Sequence, residues 1–168
     1  ILVDNGSTDG TVEFLRDFEK TRPNAKVLCN RSNRGFSAGN NQGLALATGD
    51  FVLLLNNDTV VTPEWLQRLL SVFERNPEVG IVGPVSNYVS GPQRVTSVDY
   101  ESLEELPRFA RTWAAARDRQ IQEINRVVGF CLLARRAVVE KIGGLDERFG
   151  SGNFEDDDFC IRARLAGF

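Results

Sequence analysis

The stretch from Phe51 to Leu55 is apolar at all five positions and runs directly into the polar residues Asn56, Asn57 and Asp58. A strand with one face in water alternates apolar and polar residues, so an unbroken apolar run indicates a strand that is buried on both faces. Such a strand requires helices packed on each side of its sheet. The run therefore predicts a three-layer α/β domain.

Short apolar runs alternate with helical patterns along the chain, and there is no internal repeat. Strands are predicted at 1–3, 26–29, 51–55, 79–82 and 127–134, and helices at 11–21, 37–47, from 63 onward, at 101–124 with a break at Pro107, at 136–142 and from 155 to the end. Helices of about 10–15 residues between strands indicate βαβ units and a mostly parallel central sheet. The region 85–98 has weak periodicity and is predicted to be a long loop.

The composition fits one globular domain and excludes several kinds of chemistry. Histidine is absent, which excludes Ser-His-Asp triads and His-ligated zinc, so any general base must be a carboxylate, Lys, Tyr or Cys. The formal net charge of −3 gives no support for a nucleic-acid partner. The three cysteines have no C-x-x-C spacing and are predicted to be free thiols of a reducing compartment. No apolar run is long enough to span a membrane.

Polar loops follow two of the predicted strands. Asp4 and Asn5 follow the first strand, and Asn56 to Asp58 follow the buried one. Ligands of parallel α/β sheets bind at the carboxyl ends of strands. Asp58 is the only charged residue of its loop, and oxygen ligands suit Mg²⁺ or Mn²⁺. An Asx turn that leads into the helix at Pro63 is the alternative explanation.

Four consecutive acids, Glu155 to Asp158, begin the last predicted helix. Arg162 lies four residues after Asp158, which predicts an ion pair within the helix. Glu155 and Asp156 lie at the helix start, where a carboxylate crowded by like charges suits a general base. A solvated acidic cap that interacts with the helix dipole is the alternative.

Two further features have weaker patterns. The stretch from Asn33 to Asn41 is rich in Gly, Ser and Asn and contains Arg34. It predicts either a phosphate-binding loop before a helix or a plain turn and cap, because it matches no standard phosphate-loop pattern. Tyr88 and Trp113 suit stacking on a ring of a ligand, although packing explains them as well.

The segments Val3–Thr11, Asn33–Gly43, Gly49–Thr59, Gly143–Phe149 and Glu155–Phe168, in this order and spacing, resemble family 2 glycosyltransferases, closest to the rhamnosyltransferase-like branch. The resemblance implies a single GT-A (Rossmann-like) domain over 1–168. Residues 1–84 would form the nucleotide-sugar and metal-binding half, and 85–168 the acceptor-binding and catalytic-base half. It implies inverting, Mg²⁺- or Mn²⁺-dependent transfer from a nucleotide sugar to a hydroxyl of a glycan or lipid-linked acceptor.

The resemblance also assigns individual roles. Asp156 matches the family's catalytic base and Glu155 its neighbour, while Asp58 matches the last acid of the metal-binding element. Asn56 stands where that element's first acid usually lies, which leaves less negative charge for the metal. The positions expected to contact the nucleotide are Asp4, Asn5, Ser7, Arg34, Gly35, Asn40 and Asn57.

The family has a further strand upstream of position 1, so we expect this chain alone to bind a donor weakly or not at all. The implied setting is cell-wall or polysaccharide biosynthesis in the cytoplasm, with the parent protein at the inner face of the membrane. Two alternatives are a non-catalytic module that binds a sugar nucleotide or a partner, and a nucleotidyltransferase. A nucleotidyltransferase would need a basic residue in the loop from Asp4 to Gly10, and none is present.

Overall fold

The computed structural model describes residues 1–168 and contains five strands and six α-helices. The strands are β1 (Leu2–Asp4), β2 (Val27–Cys29), β3 (Phe51–Leu55), β4 (Ile81–Val82) and β5 (Cys131–Arg135). The helices are α1 (Thr11–Thr21), α2 (Phe36–Leu46), α3 (Trp65–Arg75), α4 (Leu106–Ala116), α5 (Arg136–Ile142) and α6 (Glu155–Leu165), with short 3-10 helices at Gly91–Gln93 and Glu147–Phe149.

The strands form two hydrogen-bonded groups. β1 and β2 pair in parallel, while β5 lies between β3 and β4 and is antiparallel to both. β3 and β4 therefore run in the same direction. The expectation of a mostly parallel sheet holds for β1 with β2 and for β3 with β4, but not for β5. The long connection from β4 to β5 lets the chain reverse, and an apolar pattern carries no information on strand direction.

The three-stranded sheet is covered on both faces. Leu132 and Ala134 of β5 join Leu54 in a core with α5 and α6, whereas Cys131 and Leu133 point to the other face. That second core is closed by Leu69 and Phe73 of α3 together with Val82. Successive residues of a strand point to opposite faces, so an apolar residue at every position serves both cores. The predicted three-layer arrangement is confirmed.

Helix α4 differs most from its prediction. The helix spans Leu106–Ala116 instead of 101–124, and Pro107 lies in its first turn instead of breaking it. Proline is tolerated there because the first amides of a helix have no intrahelical acceptor. No residue of α4 is buried, so the apolar pattern around it overestimated how far the helix extends.

The state of the cysteines agrees with the prediction. Cys29, Cys131 and Cys160 are free, and the last two are buried. None of the helices combines the length and the apolar character that crossing a bilayer requires.

Candidate active site

Asp4 ends β1 with a buried carboxylate of which only one oxygen is satisfied within the chain. Its Oδ2 accepts hydrogen bonds from the amides of Gly6 (3.1 Å) and Ser7 (3.2 Å). Hydrogen bonds from the Ser7 hydroxyl, and then from these two amides, hold the pKa of Asp4 below its ordinary value, although burial opposes them. Oδ1 is buried without a partner. Buried oxygens are normally hydrogen-bonded, so Oδ1 marks a position where a ligand donor fits.

Asn5 joins the loop after β1 to the loop before α2. Its Nδ2 donates to Asn33 Oδ1 (2.8 Å) and to the Gly35 carbonyl (3.0 Å), and its Oδ1 accepts from the Arg34 amide (3.0 Å) and from Asn30 (3.2 Å). The side chain is thus used within the protein. It orders the Asn33–Gly35 turn, and Gly35 itself adopts a φ of 88° that favours glycine.

The loop after β3 leaves Asp58 free. The Asn56 amide donates to the Phe130 carbonyl (2.9 Å), and the turn closes through a backbone bond from Thr59 to Asn56. The Asp58 carboxylate is exposed and forms no hydrogen bond or ion pair. The turn therefore closes without an Asx bond from Asp58.

Asp58 and its neighbours fit a shared cation better than a closed metal site. No group of three or more acid or cysteine side chains that could hold a metal ion occurs in the chain. One free carboxylate, two residues after Asn56, matches the way Mg²⁺ is usually held, by one or two protein oxygens together with substrate phosphates.

Asp156 is held by backbone amides at the start of α6. Its Oδ2 accepts from the Gly129 amide (2.9 Å) and its Oδ1 from the Asp157 amide (3.0 Å). Gly129 precedes Phe130, whose carbonyl binds Asn56. Gly129 therefore binds the first turn of α6, and the next residue, Phe130, binds the loop after β3. The segment 129–130 is the structural link between the two predicted halves of the site.

The loop before α2 reaches the same place. Gly35 lies against the Gly150 carbonyl so closely that a side chain there would clash. A Cβ atom added to Gly129 would lie 3.7 Å from the Phe36 ring. Phe36 and the Asp156 side chain therefore both pack close to Gly129. Three of the loops predicted to be functional thus meet around Gly129.

The four acids of α6 have different surroundings. Asp158 pairs with Arg162 at 2.7 Å, as predicted, and Asp157 pairs with Arg126 at 3.2 Å. Glu155 is 7% exposed, and its Oε2 is buried without a partner. The two paired acids are structural, which leaves Glu155 and Asp156 without an arginine partner.

The other predicted nucleotide contacts lie at the rim of this region. Ser7, Arg34 and Asn57 are exposed, so their side chains are available to a ligand. Asn40 is half-buried and donates to the Phe36 carbonyl within its own helix.

An open cavity of about 2350 Å³ lies between α3 and the region 85–126, which includes α4. Asn56 and Asp58 also line this cavity. The Trp113 ring packs against the Phe109 ring. The Arg117 guanidinium lies 3.5 Å from the centre of the Trp113 ring. That contact covers one face of Trp113 and supports the packing interpretation. Tyr88 is 93% exposed.

Three residues of this region were absent from the sequence analysis. The Gly129 amide binds Asp156, Arg126 binds Asp157, and Gln93, which is buried, accepts from the Val128 amide at 2.8 Å. Each contact joins residues at least 27 positions apart, and no local pattern marks it.

Relatives of known name are glycosyltransferases. The chain is 29% identical to N-acetylglucosaminyl-diphospho-decaprenol L-rhamnosyltransferase of Mycobacterium tuberculosis, an alignment that covers all of this chain and 61% of the relative. It is 31% identical to the pre-mycofactocin glycosyltransferase of the same species, over 99% of this chain and 34% of the relative. The chain thus spans only part of the curated relatives that it matches.

Two solved structures share the fold. Mannosyltransferase PcManGT from Pyrobaculum calidifontis, in complex with GDP-Man and Mn²⁺, matches with a TM-score of 0.65 at 22% identity, over 99% of this chain and 42% of that one. TarS of S. aureus matches with a TM-score of 0.66 at 19% identity, over 97% and 44%. The architecture is the GT-A fold. The profile of the family described as glycosyl transferase family 2 matches residues 1–143, and the chain belongs to that family.

Proposed function

We propose that this chain is the donor-binding and catalytic part of an inverting glycosyltransferase. It would transfer a sugar from a nucleotide-sugar donor to a hydroxyl of a glycan or lipid-linked acceptor, with a divalent cation. The observation that carries the proposal is the pair of hydrogen bonds at consecutive residues, Asn56 to Phe130 and Gly129 to Asp156. They join the loop of the free Asp58 to the helix of Asp156, as transfer of a sugar from a diphosphate leaving group to an attacking hydroxyl requires.

Donor binding is assigned to the first half of the chain. The free Oδ1 of Asp4 would accept a hydrogen bond from the nucleobase, with Ser7 beside it. Asn5 acts by fixing the turn that carries Arg34 and Gly35. The Arg34 guanidinium and the side chains of Asn40 and Asn57 would meet the ribose and phosphates.

The transfer step is assigned to Asp156. Its carboxylate would accept the proton of the acceptor hydroxyl while that oxygen attacks the anomeric carbon and the bond to the diphosphate breaks. A single displacement of this kind inverts the anomeric configuration. Glu155, whose Oε2 has no partner, would accept a hydrogen bond from the acceptor. A divalent cation, when bound by Asp58 and Asn56, would neutralise the departing diphosphate.

The acceptor side is assigned to the region 85–126, which lines the cavity beside Asp58. The named rhamnosyltransferase relative acts on a diphospho-decaprenol compound, which favours a lipid-linked acceptor of the cell envelope. We place the reaction in the cytoplasm, at the inner face of the membrane, because the three free thiols suit a reducing compartment.

The test is a transfer assay on the full-length protein. The donors are dTDP-rhamnose, GDP-mannose and UDP-glucose, and the acceptor is N-acetylglucosaminyl-diphospho-decaprenol. Release of the nucleoside diphosphate and transfer of the sugar are followed with Mn²⁺, with EDTA, and after Mn²⁺ is restored in excess. We expect transfer with one donor, its loss with EDTA, its recovery with Mn²⁺, and a product of inverted anomeric configuration by NMR. Donor binding without release or transfer would instead support the non-catalytic module, and a product of retained configuration would contradict the single displacement.

A further inference from the structure

Arginine contacts divide the acid row of α6 into two pairs. Asp158 is neutralised by Arg162 of the same helix. Asp157 is neutralised by Arg126, which lies 31 residues earlier in the chain. Both carboxylates of these pairs are about one third exposed. The arginines thus neutralise the third and fourth acids of α6 and leave the first two, Glu155 and Asp156, without a cationic partner.

Arg126 has a second contact that reaches the loop between β4 and α4. Its Nη2 donates to Ser90 Oγ at 2.7 Å, while Nη1 donates to Asp157 at 3.2 Å. Gln93 in the same loop accepts from the Val128 amide and donates to the Pro84 carbonyl, both at 2.8 Å. The loop 84–93 is therefore bound to the segment 126–129 at two points, and Arg126 forms the outer one.

The segment 126–129 in turn holds α6. The Val127 amide donates to Cys160 Sγ at 3.3 Å, and the Gly129 amide donates to Asp156 Oδ2 at 2.9 Å. Arg126 thus lies three residues before Gly129, whose amide orients Asp156. Its partner Asp157 directly follows Asp156 in α6. A displacement of Arg126 would be transmitted to Asp156 from both sides.

We propose that Arg126 is a positioning residue for Asp156: it binds Asp157 and Ser90 together, and so fixes both the Gly129 amide and the first turn of α6. The inference rests on the proposed role of Asp156 as the base. Arg126 does not touch the reacting atoms. Its loss leaves the Asp157 carboxylate uncompensated next to Asp156 and releases the segment that orients Asp156. Misplacing a reacting group by about 1 Å can cost ~10²-fold in rate.

The experiment measures kcat, the KM for the donor and the Kd for the donor in the full-length protein, using the donor that gives the fastest diphosphate release in the panel above. We expect Arg126→Gln to lower kcat by about 10²-fold and to leave the donor Kd within about twofold of wild type. Arg126→Lys retains the charge but lacks the forked guanidinium that binds two partners. Its kcat should therefore lie between that of wild type and that of Arg126→Gln. A merely structural role would change Kd and kcat together.

A double-mutant cycle adds an independent readout. Asp157→Asn should also lower kcat, because it breaks the same pair from the other side. Arg126→Gln with Asp157→Asn leaves neither charge uncompensated, so its loss should be smaller than the product of the single losses. Should Arg126→Gln fail to fold by circular dichroism, Asp157→Asn and Arg126→Lys carry the same prediction.

Arg16→Gln is the matched control, because Arg16 is exposed on α1 and its side chain forms no hydrogen bond or ion pair. Its kcat should equal that of wild type. A kcat of Arg126→Gln within twofold of wild type, or an unchanged kcat with a raised donor KM, would overturn the inference and leave the proposed function intact. Absence of diphosphate release from the wild-type protein with every donor would overturn the proposed function itself.

Discussion

Single side chains with unusual hydrogen bonding decide how the loops at the strand ends are arranged. Asn5 is a clear case, because all of its amide contacts go to the loop at Asn30–Gly35 and none remains for a ligand. The sequence resemblance implies a nucleotide contact at this position, and the structure adds that Asn5 shapes the turn. Asp4 differs, since one of its buried oxygens has no partner. Adjacent residues thus have separate tasks.

Asp4 should stabilise the fold in a pH-dependent way. Its pKa lies below the ordinary 3.8, so its stabilising effect is complete above that pH and is lost as pH falls through the lower pKa of the folded state. We expect Asp4→Asn to lower the free energy of unfolding by about 1.5–3 kcal/mol at pH 7, and by less at pH 3. Urea unfolding at both pH values measures this difference. Asp99→Asn, an exposed control, should change neither value; an equal loss at both pH values would contradict the role of the charge.

Asp58 should control the cation dependence of donor binding. Asp58→Asn removes the free carboxylate while it preserves the shape of the loop. We expect the Kd of GDP-mannose, or of the preferred donor, to rise about tenfold or more with Mn²⁺ and to stay unchanged with EDTA, a loss of about 1.4 kcal/mol or more. Calorimetric titration of the full-length protein gives both numbers.

Asp50 provides the matched control for Asp58. It lies at the opposite end of β3 and is likewise exposed, so Asp50→Asn should bind the donor as wild type does. Equal loss of binding in both variants, or a loss for Asp58→Asn that persists with EDTA, would show that Asp58 does not act through the cation.

The cysteines should differ in reactivity. Burial raises the pKa of Cys131 to about 11 and also raises that of Cys160, so both remain protonated thiols at pH 8. Cys29 lies at the end of β2 and is half-buried. We expect iodoacetamide at pH 8 to add a single label to the native chain, at Cys29, and three labels in urea. Mass spectrometry counts them, and rapid labelling of Cys131 in the native chain would disagree with its place in the core.

At the scale of elements, β5 is the strand on which both cores depend. Leu132 is 1% exposed and packs toward α5 and α6, while its neighbours pack toward α3. We expect Leu132→Ala to lower the free energy of unfolding by about 2–5 kcal/mol. Leu55→Ala, in the paired strand but 42% exposed, should cost less than about 1 kcal/mol. Urea unfolding compares the two, and similar losses would contradict the assignment of the core.

Elements buried on both faces were predictable, and exposed ones were less so. Phe51–Leu55 was placed to the residue, because its apolar run has a single structural explanation. Helix α4 was overestimated, because none of its residues is buried and its ends are set by local contacts. The direction of β5 was not predictable, since the side-chain pattern of a strand is the same in either direction.

At the scale of the whole molecule, the sequence placed the functional loops at strand ends but not the contacts that join them. Asp58 and Asp156 are separated by about a hundred residues, and their loops meet only through the backbone of Gly129 and Phe130. Backbone hydrogen bonds leave no side-chain pattern, so this link was not visible in the sequence. The Arg126–Asp157 pair joins two side chains that lie 31 residues apart, and no local pattern marks it. The Asp158–Arg162 pair was predicted correctly because it lies within one helix.

Donor binding and proton removal are assigned to different loops of one site. The most direct measurement compares turnover with donor binding in Asp156→Asn of the full-length protein, with Asp50→Asn as control. We expect kcat to fall by about 10²–10⁴-fold while the donor Kd with Mn²⁺ stays within twofold of wild type. Near-normal turnover in Asp156→Asn, or loss of donor binding in parallel with kcat, would contradict the account.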